Sequence, residues 1–221
     1  MPFKVLKEFG KKRKIEEFEE PVEVEIFDII YDIIKSRRTI RKYLDKKVDD
    51  ETILKILDAA RYAPSAGNHQ PWEFIVVRDP RTKADLVEAS YGQDWMLSAP
   101  VFIVACINTR LAGAVYGERG LKLFGIQDVA AAIQNILLAA EALGLGTAWV
   151  GMFSEPMVSV ILHCPEYVRP CAIITLGYPA EEPKPPVLQN LDEFVHFERF
   201  GQTILEKRVE KEKKPYYMKF K

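Results

Sequence analysis

The chain has 221 residues, of which 48% are hydrophobic and 29% charged, the proportions of a soluble globular protein with one large domain or two small ones. Its 31 Lys and Arg stand against 32 Asp and Glu, a formal net charge of −1 that excludes a global electrostatic footprint for nucleic acid. Three cysteines, Cys106, Cys164 and Cys171, form no CxxC pair. A disulfide scaffold, a zinc ribbon or a thioredoxin motif is therefore not expected, and a reduced, cytoplasmic protein is.

Residues 1–22 read as a charged N-terminal extension with both signs mixed and no apolar stretch of signal-peptide length. A single domain is expected over 23–204. Ile26–Lys35 is apolar at 26, 29, 30, 33 and 34, a helical stripe. Asp49 or Asp50 caps a second helix with Ile53, Ile56, Leu57 and Ala60 on one face, ended by Pro64. Phe74–Val77 is a short strand closed by Asp79-Pro80, and Arg81–Ala89 a two-turn helix. The unbroken apolar run Val101–Ile107 suits a central strand.

Ile126–Leu143 is the longest helical stripe, stopped by Gly144. The region 129–152 is apolar enough to suggest a membrane, but it carries Gln134, Asn135 and Glu141 and is broken by Gly144 and Gly146. A helix inside the protein, at or near a subunit interface, is the expectation. Ala148–Val150 is a short strand, Ser154 caps a helix over Glu155–Leu162, and Ala172–Leu176 is a further core strand. The end is charged but contains Tyr216, Tyr217 and Phe220, so 205–221 reads as an arm that packs elsewhere, a partner subunit among the candidates. Few strands and many helices give an α+β fold.

Motifs for several chemistries are missing. GLGTAWVG at 144–151 lacks the GxGxxG pattern and follows a helix, which argues against a Rossmann fold. There is no GxxxxGK[ST], HExxH or GxSxG, so no Walker loop, zinc protease or nucleophile elbow is expected, and no metal site.

Four segments are informative. Ser36-Arg37-Arg38-Thr39-Ile40-Arg41 places three arginines within five residues, forks of donors that match phosphate oxygens. The competing reading is a helix end whose basic residues oppose the dipole. Ala63 to Trp72, APSAGNHQPW, is a fixed irregular loop whose Ser65, Asn68 and Gln70 can read a polar ring edge, or can satisfy their own backbone. Gly92-Gln93 offers a neutral amide in what is otherwise a turn. Gly151, after a short strand, can bring bare backbone against a cofactor.

In this order and spacing, SRRTIRKY, APSAGNHQPWEFIVV, IQDVAAAIQNILLAAEALGLGTAWVG, ITLGYPAEEP and FVHFERFG resemble the nitroreductase family of flavin enzymes over about residues 33–201. The resemblance implies a central, mostly antiparallel sheet flanked by helices and an intertwined homodimer with FMN at its interface. It implies that Arg37, Arg38 and Thr39 hold the phosphate and ribityl region, with Arg41 nearer the N1/O2 side of the ring. Pro64, Ser65, Ala66 and Asn68 would approach the flavin bound mainly by the partner chain. Gln93 would meet the pyrimidine edge, Val150, Gly151 and Met152 would present backbone toward N5, and Lys184 would be a second phosphate ligand. The place where many relatives carry a distal phosphate-binding cation reads Val187-Leu188-Gln189-Asn190, and Met96 stands about where some carry a lysine near the ring.

The expected activity is hydride transfer from NADH or NADPH through flavin N5 to a small electron-poor acceptor, nitroaromatic- or quinone-like, by a ping-pong cycle. The flavin carries the chemistry, so no protein catalytic residue is assigned. Substrate choice is placed in 110–125, where Tyr116 and Phe124 can stack on an aromatic ring or pack the helix below. The alternatives are a specialised relative performing reductive dehalogenation or flavin fragmentation, and a non-catalytic FMN-binding module. No nucleic acid or membrane partner is expected.

Overall fold

The computed structural model describes residues 26–203. The extension at 1–22 and the arm at 205–221 lie outside the described residues. The chain divides into two compact units, Met1–Glu182 and Pro183–Lys221.

In the first unit, helix α1 spans Ile26–Ser36 and α2 spans Asp50–Ala60. The Asp49 carboxylate caps α2 by accepting the Thr52 N–H at 2.7 Å. Strand β1 (Trp72–Val77) is followed by α3 (Pro80–Ala89), which Asp79 caps in the same way. Strand β2 is Val101–Asn108, α4 is Thr109–Arg119, and a π-turn at Gly120–Phe124 leads into α5, Gly125–Ala142. Strand β3 (Gly146–Val150), α6 (Glu155–Ile161) and β4 (Val168–Gly177) complete the unit.

The four strands form one antiparallel sheet in the order β1-β2-β4-β3. Both faces are covered, which explains why β2 reads as a continuous apolar run. Its Val101, Ile103, Ala105 and Ile107 enter a core with α2 and α5, where Ile56, Ile133 and Ile136 are fully buried. Its Phe102, Val104 and Cys106 enter the opposite core with Leu86, Met96 and Val158. The result is a helix–sheet–helix sandwich. A bulge between Ala105 and Cys106 breaks the register of β2 on β4.

Most expected elements form within one or two residues, but 109–119 is helical where no periodicity was visible. Asn108 starts α4 by accepting the Leu111 N–H at 3.3 Å. Together α4, the π-turn and α5 are the one run among the described residues long and apolar enough to cross a membrane. Eight α5 residues, Val129, Ile133, Ile136 and Leu137 among them, are instead buried in the fold. In contrast, α1 buries none of its residues, and Phe27, Ile30 and Ile34 are half-exposed or more.

The second unit contains the four-residue helix α7, Leu191–Phe194, and a bridge between His196 and Thr203. The His196 ring lies 4.4 Å from that of Phe200.

Candidate functional site

The arginine segment lies along the outer edge of β3. Thr39 bridges Thr147 in parallel, and the Ile40 N–H donates to the Thr147 carbonyl at 2.9 Å. Close approach requires Gly146: a Cβ there would stand 2.6 Å from Cγ1 of Ile40. Beneath the segment, the buried Tyr43 hydroxyl contacts the Ile40 carbonyl and the Thr175 Oγ1, each at 2.7 Å, and burial pushes its pKa up.

The three arginines separate into different roles. Arg38 donates through Nη1 to the carbonyls of Lys35, Ser36 and Arg37 at 2.7, 2.9 and 3.1 Å. That guanidinium closes the C-terminus of α1, the dipole-opposing arrangement. No described carboxylate pairs with Arg37 or Arg41. The Arg41 guanidinium lies 5.6 Å from the centre of the Trp95 ring.

Trp95 belongs to a short 3₁₀ turn, Asp94–Ser98, that begins after Gln93. The Gln93 amide nitrogen donates to the Ser90 and Met152 carbonyls, both at 3.1 Å. Two carbonyl partners fix which end is nitrogen, so what Gln93 can offer a ligand is its oxygen, an acceptor. The same contacts bring Gln93 beside the 150–152 segment. Val150 is buried at the end of β3, whereas Gly151 and Met152 are exposed. Among the described residues, a Cβ added to Gly151 would meet only the Trp149 Nε1, at 4.0 Å, so the main chain there is open toward them. Arg41, Gln93 and Gly151 thus form one surface, reached from three separate parts of the sequence.

The 63–72 loop lies at the other edge of the sheet, leading into β1. Three successive strand spacings of about 4.8 Å separate that edge from β3, or roughly 14 Å. The loop is tightly held. The Ala66 N–H donates to Asp128 Oδ1 at 3.0 Å, and the Gln70 N–H to Ser65 Oγ at 3.0 Å. Gly67, Asn68 and Gln70 have φ of 57, 58 and 50°, the left-handed region. Asp128, at the start of α5, is 8% exposed, and burial raises its pKa against the pull of the Ala66 N–H and His69.

Tyr116 and Phe124 do come together, with ring centroids 5.1 Å apart and edge-to-face, and His69 lies edge-on to Tyr116 at 6.1 Å. A Cβ on Gly67 would come within 3.0 Å of the Tyr116 hydroxyl. The aromatic wall therefore adjoins the loop, and His69 and Asp128 are members of the cluster that the sequence did not single out. Pro64 and Asn68 are exposed at its surface. Lys184 is an exposed residue of the second unit. Among the described residues there is no cluster of metal-ligating side chains. The three thiols are unbridged, and burial pushes Cys106 up and Cys171 up to about 11, away from thiolate chemistry at neutral pH.

Comparison with known proteins agrees with this architecture. The model of the Nitroreductase family matches residues 34–93 and 89–178. A protein of Methanothermobacter thermautotrophicus, provisionally named NADH dehydrogenase/NAD(P)H nitroreductase, is 41% identical over 175 residues, covering 77% of this chain and 87% of its own. The FMN reductase [NAD(P)H] of Bacillus subtilis is 33% identical over 166 residues, covering 68% of this chain and 67% of its own. Among solved structures, an FMN-dependent nitroreductase from Clostridium difficile R20291 superposes with a TM-score of 0.66 at 31% identity, covering 77% of this chain and 99% of that one. With the antiparallel sheet, the matched segments and these relatives in agreement, the chain belongs to the nitroreductase family.

Proposed function

We propose that the protein is an FMN-dependent oxidoreductase that takes hydride from NAD(P)H and passes it to a small electron-poor acceptor in alternating half-reactions. One observation carries this reading. An open glycine backbone, an amide oxygen and an arginine without a carboxylate partner among the described residues share one surface at the β3 edge.

FMN fits the residues present. The Gln93 oxygen is an acceptor for the imide N–H of a flavin, and the Gly151 main chain is open to a flat ring. Arg41 supplies a cation for the pyrimidine side, and Arg37 and Thr39 lie two to four residues earlier in the same non-helical segment for the phosphate end. Arg38 contributes by closing α1 and holding that segment in place. When bound, FMN supplies the hydride acceptance and donation. The protein's own work is to bind, orient and shield: Gln93 and Gly151 fix the ring, Arg41 places charge, and the Tyr116–Phe124 wall, which adjoins the 63–72 loop, borders the acceptor space at the flavin held by the other protomer.

The site is completed by a second copy of the chain. Pro64, Ser65, Ala66 and Asn68 stand at the opposite sheet edge, too far from Gly151 to meet one flavin in one protomer. A homodimer brings the partner's loop to it. The exposed apolar side of α1, with Ile30 and Ile34 beside Tyr62 and Leu138, is the kind of surface an obligate interface covers. Lys184 is proposed as a further phosphate ligand. Three unbridged cysteines suit the reducing cytoplasm.

The test is an anaerobic titration of purified protein. NADH or NADPH bleaches the flavin absorbance, and a quinone or nitroaromatic then restores it. A coloured protein that neither donor bleaches overturns the oxidoreductase reading. A protein that takes up no FMN overturns the cofactor assignment.

A further inference from the structure

We propose that Glu181 is a positioning residue for Arg41. By holding the main chain of Arg41 and Lys42, its carboxylate keeps the Arg41 guanidinium against Trp95 at the flavin's side and so sets the two-electron potential of bound FMN. The inference rests on the assignment of Arg41 to the FMN site.

The geometry begins with the main chain. After β4, the segment 178–181 runs beside 42–44. The Leu44 N–H donates to the Tyr178 carbonyl and the Ala180 N–H to the Lys42 carbonyl, both at 2.9 Å, and Tyr43 bridges Pro179. The ladder ends on a side chain. Glu181 Oε1 accepts the Arg41 N–H at 2.6 Å and the Lys42 N–H at 3.1 Å. Two successive N–H groups on one carboxylate make a small anion nest, and such charge-assisted bonds are stronger than bonds between neutral groups.

What the carboxylate does not do is equally informative. A glutamate touching the main chain of an arginine would ordinarily be drawn to its guanidinium. Here no ion pair joins the two, and the guanidinium lies over Trp95 instead. Trp95 is tied into the same surface. Its turn follows Gln93, which bonds the Met152 carbonyl, and Ser98 of that turn reaches the Arg41 carbonyl at 3.5 Å. Glu181 therefore fixes where the backbone of Arg41 sits, and Trp95 fixes where its charge goes.

The sign of the effect separates positioning from simple charge. Reduction adds negative charge to the flavin. A nearby carboxylate acting through space lowers the potential, so its removal would raise it. A carboxylate acting by holding Arg41 does the reverse: without it the cation drifts from the ring, and the potential falls. The experiment is spectroelectrochemical titration of FMN-loaded Glu181→Ala, Glu181→Gln, Arg41→Ala and the Arg41→Ala/Glu181→Ala double variant, together with Trp95→Leu.

The expected result for Glu181→Ala is a loss of about tenfold in the preference for reduced over oxidised FMN, about 30 mV downward for a two-electron couple. Arg41→Ala falls at least as far, and the double variant falls no further than Arg41→Ala. Trp95→Leu also falls. Glu181→Gln keeps an acceptor oxygen for both N–H groups and does not fall. Should Glu181→Ala fail to fold, Glu181→Asp, with its carboxylate drawn back by one methylene, reads the same displacement. An unchanged or raised potential in the Ala or Asp variant, or additivity in the double variant, overturns the proposal. If Arg41→Ala leaves the potential of bound FMN unmoved, the Arg41 assignment fails and the inference with it. If the wild-type chain takes no FMN, the functional reading itself is wrong.

Discussion

Gly151 separates what the fold needs from what the ligand needs. Among the described residues, a Cβ at this position meets nothing closer than Trp149 Nε1 at 4.0 Å, an ordinary contact. Its φ is not among the positive values, so an L residue can adopt its conformation. Gly151→Ala should therefore leave the apoprotein within about 0.5 kcal/mol of wild type, or stabilise it by about 0.4–1 kcal/mol through a less flexible unfolded chain. Ligand binding should respond differently. A backbone N–H bonded to a flavin nitrogen holds the two heavy atoms about 3 Å apart, and a methyl group on the same residue forces the ring back by a good fraction of an ångström. Loss of that bond and of the flat contact should cost about 1–2 kcal/mol, roughly tenfold in Kd, and more for Gly151→Val. The assay pairs urea unfolding of the apoprotein with equilibrium titration by flavin fluorescence. Unchanged FMN affinity in Gly151→Val, with stability intact, would refute the placement of the ring over this backbone.

Gly146→Ala should behave in the opposite way: its Cβ would press on buried Ile40, so urea unfolding should show a loss of about 1–3 kcal/mol before any ligand is added. Arg37→Ala should lose about 1.5–3 kcal/mol of FMN affinity, tenfold or more by equilibrium dialysis, whereas Arg38→Ala should also lower the melting temperature because it uncaps α1. Asp128 has a folded pKa raised by burial, so its contribution to stability is full below the ordinary carboxylate range and is lost as pH rises through the folded value. Asp128→Asn should flatten that fall in melting curves taken across weakly acid pH.

Much of the sandwich was legible because burial imposes a period. The α2 face, the unbroken β2 run, a cap at Asp49 or Asp50 and the cap at Ser154 all follow from local rules, whereas Asp79, read as the end of β1, proves also to cap α3. Helix α4 did not, because its eleven residues mix small, polar and apolar types without a stripe, and its only buried member is Ala112. It forms because Asn108 caps it and the π-turn joins it to α5. The site was legible in its parts and not in its wiring. Three arginines within five residues look equivalent in sequence, and only the position of the α1 C-terminus separates Arg38 from the others. Trp95 gave no signal, and Glu181, although it lies within ITLGYPAEEP, was not singled out. Glu181 bonds main-chain groups 140 residues away, and such contacts place no demand on the side chain of the partner.

The two sheet edges carry a genetic consequence. If each flavin takes its cation and backbone from the β3 edge of one subunit and its loop from the β1 edge of the other, damage at the two edges segregates on mixing. A subunit bearing Arg41→Ala and a subunit with a disrupted 64–68 loop would each be inactive as homodimers. In a hybrid of the two, one pocket inherits both lesions and the other inherits neither. Co-expressed alleles of these two kinds would therefore complement each other, while two alleles hit at the same edge would not.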